Sequence, residues 1–208
     1  MKQKINLETW NRNEHYAFFS KMEEPFFGIT IKINCTKAYQ KANELNVSFF
    51  TYYLHKTLLA VNAIENFRYR IIDNEIIVCD TIDASATILR ADNTFAFSHM
   101  KFSSDMSTFN ENVSSEIERI QTTTGLFTRE YPENLIHFSS LPWVNFQSFS
   151  HARSFTFPDS CPKISFGKMT VSKKGNRKMS VSIHVHHGLV DGYHVGQFVE
   201  LLQKLMDS

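Results

Sequence analysis

The chain has 208 residues, with 22 Lys and Arg against 21 Asp and Glu and a formal net charge of +1. That balance excludes a scaffold built for nucleic-acid phosphates, and the length fits one domain, residues 1–208, with a core that needs no metal or disulfide staple. Seven Gly, five Pro and no low-complexity tract exclude a linker-rich chain. Cys35, Cys79 and Cys161 are widely spaced and odd in number, which excludes a disulfide framework and a CxxC knuckle and fits a reducing compartment. Met1 to Glu14 lacks a signal-peptide core, and no apolar run approaches the roughly 18 residues of a membrane span. The expectation is a cytoplasmic protein. The 19 Phe, 7 Tyr and 2 Trp either fill the core or line a pocket.

In chain order, Asn13 to Met22 reads as a short helix, Phe26 to Ile33 as a strand and Thr36 to Leu45 as a polar-faced helix. Ser48 opens a helix over Phe49 to Ile64 that is apolar on most faces and therefore buried. Asp73-Asn74 has hairpin chemistry between strands Tyr69–Ile72 and Glu75–Cys79, and strands Ser85–Leu89 and Thr94–Phe102 follow. Phe109, Val113, Ile117 and Ile120, behind Ser107 and Thr108, mark an amphipathic helix of about four turns. Strands resume near Leu135. Ile164–Val171 and Lys178–Val185 flank the turn Lys173-Lys174-Gly175-Asn176, and a helix from His194 to about Met206 closes the chain. The class is α+β, without internal repeats.

The segment from Lys178 to Asp191, KMSVSIHVHHGLVD, concentrates the chemistry. Met179, Val181, Ile183 and Val185 alternate with polar residues, so one more step puts His187 on the apolar side and His184 and His186 on the polar side. A partly buried imidazole resists protonation and suits a general base. Gly188 and Gly192 bracket the turn that follows, with Asp191 four residues beyond His187. Two other readings stand beside this one: a hydrogen-bonded core histidine, and a zinc site of His184, His186, His187, His194 and Asp191. Alternation sends the strand histidines to opposite faces, and neither a nearby Cys nor an HExxH helix supports metal.

HHGLVDG followed by YHVGQF resembles the active-site signature of the chloramphenicol acetyltransferase family. Its His-His-x-x-x-Asp-Gly core also occurs in dihydrolipoyl acyltransferases, peptide-synthetase condensation domains and plant acyltransferases, and the chain's length favours the antibiotic-acetylating family among them. Three further blocks resemble that family in order: Trp10-Asn11-Arg12-Asn13-Glu14-His15, Leu141 to Phe149 (LPWVNFQSF) and Ile164-Ser165-Phe166-Gly167-Lys168.

The resemblance implies a two-layer sandwich of mixed β-sheet and helices, and direct acetyl transfer from acetyl-CoA, a co-substrate, to a hydroxyl of chloramphenicol. It implies that His187 is the general base, that Asp191 and Arg12 form a structural ion pair, and that Ser148 donates to the oxyanion. Val144, Phe146 and Ser148 alternate as on one strand face, which would bury the Ser148 hydroxyl. Ser165 matches a position whose hydroxyl orients a water. Phe18, Phe19, Phe27, Thr87, Phe95 and Phe146 match the substrate pocket, and Lys168 matches a contact to coenzyme A phosphate, as the region around Phe49 to Lys56 does. The family's homotrimer places the His of one subunit against the pocket of its neighbour. Phe19 stands where well-known members have Tyr, and Pro25-Phe26 replaces a Cys-containing stretch. These departures suggest a second reading, acetylation of another small hydroxylated acceptor; a binding relative without turnover is a third. No metal, nucleic acid or membrane partner is expected.

Overall fold

The computed structural model describes residues 2–154 and 159–208. Within them the chain order is β1 (Lys2–Lys4), α1 (Asn13–Phe19), β2 (Phe26–Asn34), α2 (Thr36–Glu44), α3 (Phe49–Ala63), α4 (Glu65–Arg68), β3 (Tyr69–Ile72) and β4 (Glu75–Cys79). The second half continues with β5 (Asp83–Leu89), β6 (Phe95–Phe97), α5 (Met106–Gln121), β7 (Leu135–Leu141), β8 (Lys163–Gly167), β9 (Thr170–Val171), β10 (Arg177–His186) and α6 (Gly192–Met206). A seven-stranded mixed sheet carries the order β2-β10-β8-β7-β5-β6 with β9 on β10, and a small sheet carries β1-β4-β3. β7 runs parallel to both β5 and β8, and the other pairings are antiparallel.

Local chemistry explains where these elements begin and end. Ser48 Oγ accepts from Thr51 N at 3.0 Å and starts α3, which buries Tyr52, Leu54, Leu58 and Val61 against the sheet and contacts α2, α5 and α6. The side-chain cap of α5 is Asp105, whose Oδ1 accepts from Thr108 N at 2.8 Å, rather than Ser107 or Thr108 themselves. Asp73 and Asn74 both adopt positive φ, the geometry of a tight hairpin turn. Tyr52, Phe67, Phe109, Phe138, Phe166 and Phe198 fill the core, so the aromatic abundance is in part a packing feature.

The structure corrects several expected boundaries. The strand expected over Thr94–Phe102 keeps regular pairing only over Phe95–Phe97 and returns as an isolated bridge between Met100 and Ala84. Ile164–Val171 divides into β8 and β9. β7 stops at Leu141, where Pro142 removes a backbone donor, and Val144 to Phe149 is irregular. The β1 strand and the one-turn α4 had no periodic signal in the sequence. Among the described residues no helix is long and apolar enough to cross a membrane, and all three cysteines are free thiols.

Candidate active site

β10 pairs with β2 so that His186 lies opposite Phe26 and Val185 opposite Phe27, and His187 N then donates to Pro25 O at 2.8 Å. His187 thus follows the last strand pair and sits on the Val185 side, where its ring stacks on Phe19 of α1 at 3.9 Å with an interplanar angle of 4° and meets Phe27 at 4.5 Å. The imidazole is half-buried, and among the described residues its enclosed Nδ1 has no hydrogen-bond partner.

Full burial falls on the neighbouring histidine instead. His186, expected on the polar side, is 3% exposed, packed by Tyr16 and Phe26, and its Nδ1 accepts from Gly188 N at 3.1 Å. Loss of solvation, reinforced by Arg153, pushes its pKa down to about 4. Alternation assigned the face of His187 but missed the covering of the opposite face, because both sides of β10 are packed. Gly188 is required by this packing: a Cβ there would meet the His186 ring at 3.1 Å and the Tyr16 backbone at 3.2 Å.

The turn beyond His187 is braced by charge. Arg12, almost fully buried, places Nη1 2.6 Å from Asp191 Oδ2 and donates from Nη2 to the His187 carbonyl at 3.2 Å. Burial works to raise the Asp191 pKa, but the Arg12 guanidinium holds the carboxyl below the usual range. Asp191 is also the N-cap of α6, accepting from Tyr193 N at 3.0 Å while its own N–H donates to His194 Nδ1. Arg12 and Asp191 together therefore join the start of α1, the His187 turn and α6. Among the described residues no group of three or more His, Cys, Asp or Glu side chains could hold a metal ion.

The other expected site residues lie elsewhere. Phe18 is 63% exposed on α1 beside Phe19, and Phe27 belongs to the His187 face. Thr87 and Phe95 line a separate cavity of about 750 Å³ behind β5 and β7, with Phe97, Phe127, His137 and Lys163. Phe146 lines neither place; it is buried against Phe149 and Gly167. Ser148 is exposed and not on a strand, which corrects the expected buried hydroxyl: the chain leaves β-geometry at Pro142, so strand alternation does not reach it. Ser165 on β8 is fully buried, with Oγ 3.4 Å from His151 Nε2. Lys168 is exposed at the end of β8, and its N–H donates to Val144 O.

Sequence reasoning missed the polar wall of this cavity, made of His137, His151, Arg153, Asp159 and Lys163. His137 interrupts an apolar run between Ile136 and Phe138, and Lys163 opens the strand before Ile164, so alternation marks both as pointing away from the core. Neither belongs to a recognisable motif.

The sequence model of the chloramphenicol acetyltransferase family matches residues 2–203. The chain belongs to the chloramphenicol acetyltransferase family. Chloramphenicol acetyltransferase 3 of Escherichia coli is 33% identical over 99% of this chain and 97% of its own length. Chloramphenicol acetyltransferase 2 of Haemophilus influenzae is 30% identical over 99% and 97%. A solved chloramphenicol acetyltransferase structure superposes with a TM-score of 0.91 at 29% identity, covering 99% of this chain and 100% of that one. The α+β fold expected from the sequence is therefore the family's fold. It extends to a dihydrolipoamide acetyltransferase of Azotobacter vinelandii, with a TM-score of 0.69 at 11% identity over 94% of this chain and 86% of that one, a likeness of fold alone.

Proposed function

We propose that this member of the chloramphenicol acetyltransferase family transfers the acetyl group of acetyl-CoA to a hydroxyl of chloramphenicol, in the cytoplasm. The observation that carries the reading is the braced His187 turn: Arg12 holds both the His187 carbonyl and Asp191, while Phe19 and Phe27 fix the plane of the imidazole. A general base needs that kind of fixed orientation more than it needs burial.

His187 Nε2 takes the proton of the acceptor hydroxyl as its oxygen forms a bond to the thioester carbonyl carbon. The carbonyl electrons move onto oxygen, and Ser148, exposed on the irregular segment after β7, donates to that oxyanion. Collapse breaks the carbon–sulfur bond, the imidazolium returns its proton to the sulfur, and an acetyl ester and coenzyme A leave. Acetyl-CoA is consumed as co-substrate, and the exposed Lys168 meets its phosphates. Arg12 and Asp191 are positioning residues.

His187 and the 750 Å³ cavity share no lining residue. This separation supports a homotrimer in which the His187 face of one protomer, with Phe18, Phe19 and Phe27, closes over the chamber of Thr87 and Phe95 in its neighbour. Ser165, through His151, supports the wall of that chamber. A second reading, acetylation of a different small hydroxylated acceptor, is favoured by Phe19, by Pro25-Phe26 and by the polar cavity wall.

The test is thiol release from acetyl-CoA by purified protein with and without chloramphenicol, for the unmodified chain and His187→Ala. Chloramphenicol-dependent release that is lost in the variant supports the proposal. Absence of release from a folded, acetyl-CoA-binding protein overturns the acceptor and leaves the second reading.

A further inference from the structure

The cavity lined by Phe95, Phe97, Phe127 and Thr87 carries at one side a polar array that an apolar ring slot does not require. Lys163 is 3% exposed. Its Nζ lies 2.5 Å from Asp159 Oδ2, 3.2 Å from His137 Nδ1 and 3.4 Å from Cys161 O. Asp159 is fixed in turn by Cys161 N, which donates to Oδ1 at 2.9 Å. Burial works to raise the Asp159 pKa, but Lys163 holds the carboxyl below the usual range. His137 and Lys163 are directly opposed in the parallel pairing of β7 and β8, so their contact is set by strand register rather than by loop conformation.

An ammonium has donors only. The nitrogen it meets on His137 must therefore carry a lone pair, and the ring must carry its proton on Nε2. Loss of solvation, followed by the Lys163 charge, pushes the His137 pKa down to about 4 and keeps this tautomer neutral. His137 is open to the cavity, and its Nε2 has no partner among the described residues. Since Asp159 neutralises Lys163, the array presents a fixed, uncharged N–H donor beside an aromatic wall.

We propose that His137 Nε2–H is a specificity-determining donor that recognises a neutral hydrogen-bond-accepting oxygen, such as a nitro oxygen, on the ring of the acceptor. Lys163 and Asp159 are the positioning pair that fixes its tautomer. This assignment rests on the acetyl-transfer reading above and names what the far end of the acceptor must carry. The site discriminates by hydrogen bonding, because an acceptor that lacks the oxygen leaves the cavity-facing donor without that bond once the ring fills the cavity.

The experiment compares chloramphenicol with its analogue bearing hydrogen in place of the nitro group, for the unmodified chain, His137→Leu and His137→Asn. In the unmodified protein the analogue should have a KM higher by about 3- to 10-fold, the worth of one neutral hydrogen bond, with kcat within about twofold. His137→Leu should bring the KM ratio close to one without lowering kcat, and His137→Asn, which keeps an N–H, should restore part of it. Nitrogen-15 NMR of the unmodified protein should report the proton of His137 on Nε2.

Equal KM values for the two compounds in the unmodified protein, an unchanged ratio in His137→Leu, or a proton on Nδ1 would each overturn the assignment while acetyl transfer stands. If neither compound is acetylated, the acceptor reading falls, and the ratio of their equilibrium dissociation constants decides the role of His137 by the same criterion. Failure of both to bind overturns both proposals.

Discussion

The His187 turn and the cavity behind β7 are built in opposite ways. At the turn, order comes from one charge contact: Arg12, just before α1, reaches Asp191 and the His187 carbonyl, and the imidazole is left half-buried against Phe19 and Phe27. In the cavity, order comes from sheet register: Lys163 opposite His137, with Asp159 closing the array. The turn holds the proposed base, His187, in one orientation with its ring half-buried. The cavity wall joins Lys163, Asp159 and His137 Nδ1 to one another and leaves His137 Nε2 facing the cavity. A group that moves a proton must reach its substrate, whereas groups that select a substrate gain from being enclosed.

The largest test of this contrast removes the reactive imidazole. His187→Ala should lower acceptor-dependent coenzyme A release by about 10²- to 10⁴-fold, the usual worth of a general base, with Tm within a few degrees because the ring is half-buried. Preserved turnover would transfer the chemistry to the enclosed region. Ser148→Ala should cost about 10²- to 10³-fold in kcat if its hydroxyl meets the oxyanion, and thermal unfolding should be unaffected because the side chain is exposed. A loss confined to KM would remove Ser148 from the oxyanion role.

A smaller effect is expected from the brace. Arg12→Leu strands Asp191 and releases the His187 carbonyl, and should lower kcat by about 10- to 100-fold through misaligned geometry. Asp191→Asn keeps the N-cap oxygen of α6 and removes the charge, so its loss should be less. The two changes should be non-additive, since they break one bridge. Additive losses in a double-mutant cycle would show that the bridge is not what holds His187.

The two regions also differ in how far they could be read from the chain. The HHGLVDG turn and its Arg12–Asp191 ion pair were legible because a family motif fixes residue types at set positions, and β10 alternates cleanly enough to give His187 its side. The helix at Ser48 was legible through capping chemistry and apolar spacing, whereas α6 begins at Gly192 behind the Asp191 cap, two residues before the expected His194. Ser148 was misplaced because alternation was carried past Pro142. The burial of His186 was missed because its cover, Tyr16 and Phe26, comes from segments some 160 residues away in sequence. The Lys163–Asp159–His137 array was invisible for the same reason: it exists only once β7 and β8 lie side by side, and parallel register leaves no local signature.

The finest discrimination between the regions comes from acid. His186 beside the turn, and His137 and His151 in the cavity wall, are each held near 4 by burial first, whereas an unfolded histidine titrates near 6.5. The folded protein thus favours the neutral ring, so the stabilisation is complete above about pH 6.5 and is lost as pH falls towards 4, where the unfolded state binds the extra protons. For His186, the most fully buried of the three, the linkage is on the order of 3 kcal/mol across that window. Urea unfolding measured from pH 7 to 4 should show a steep fall for the unmodified chain and a shallower one for His186→Phe, which keeps the contacts with Tyr16 and Phe26 but has no proton to bind. His137→Leu should flatten the curve less, because that ring opens into the cavity and is better solvated. Equal flattening by the two variants would show that the cavity wall is as dry as the packing beneath the turn, and the contrast between an open catalytic face and an enclosed selecting wall would then rest on geometry alone.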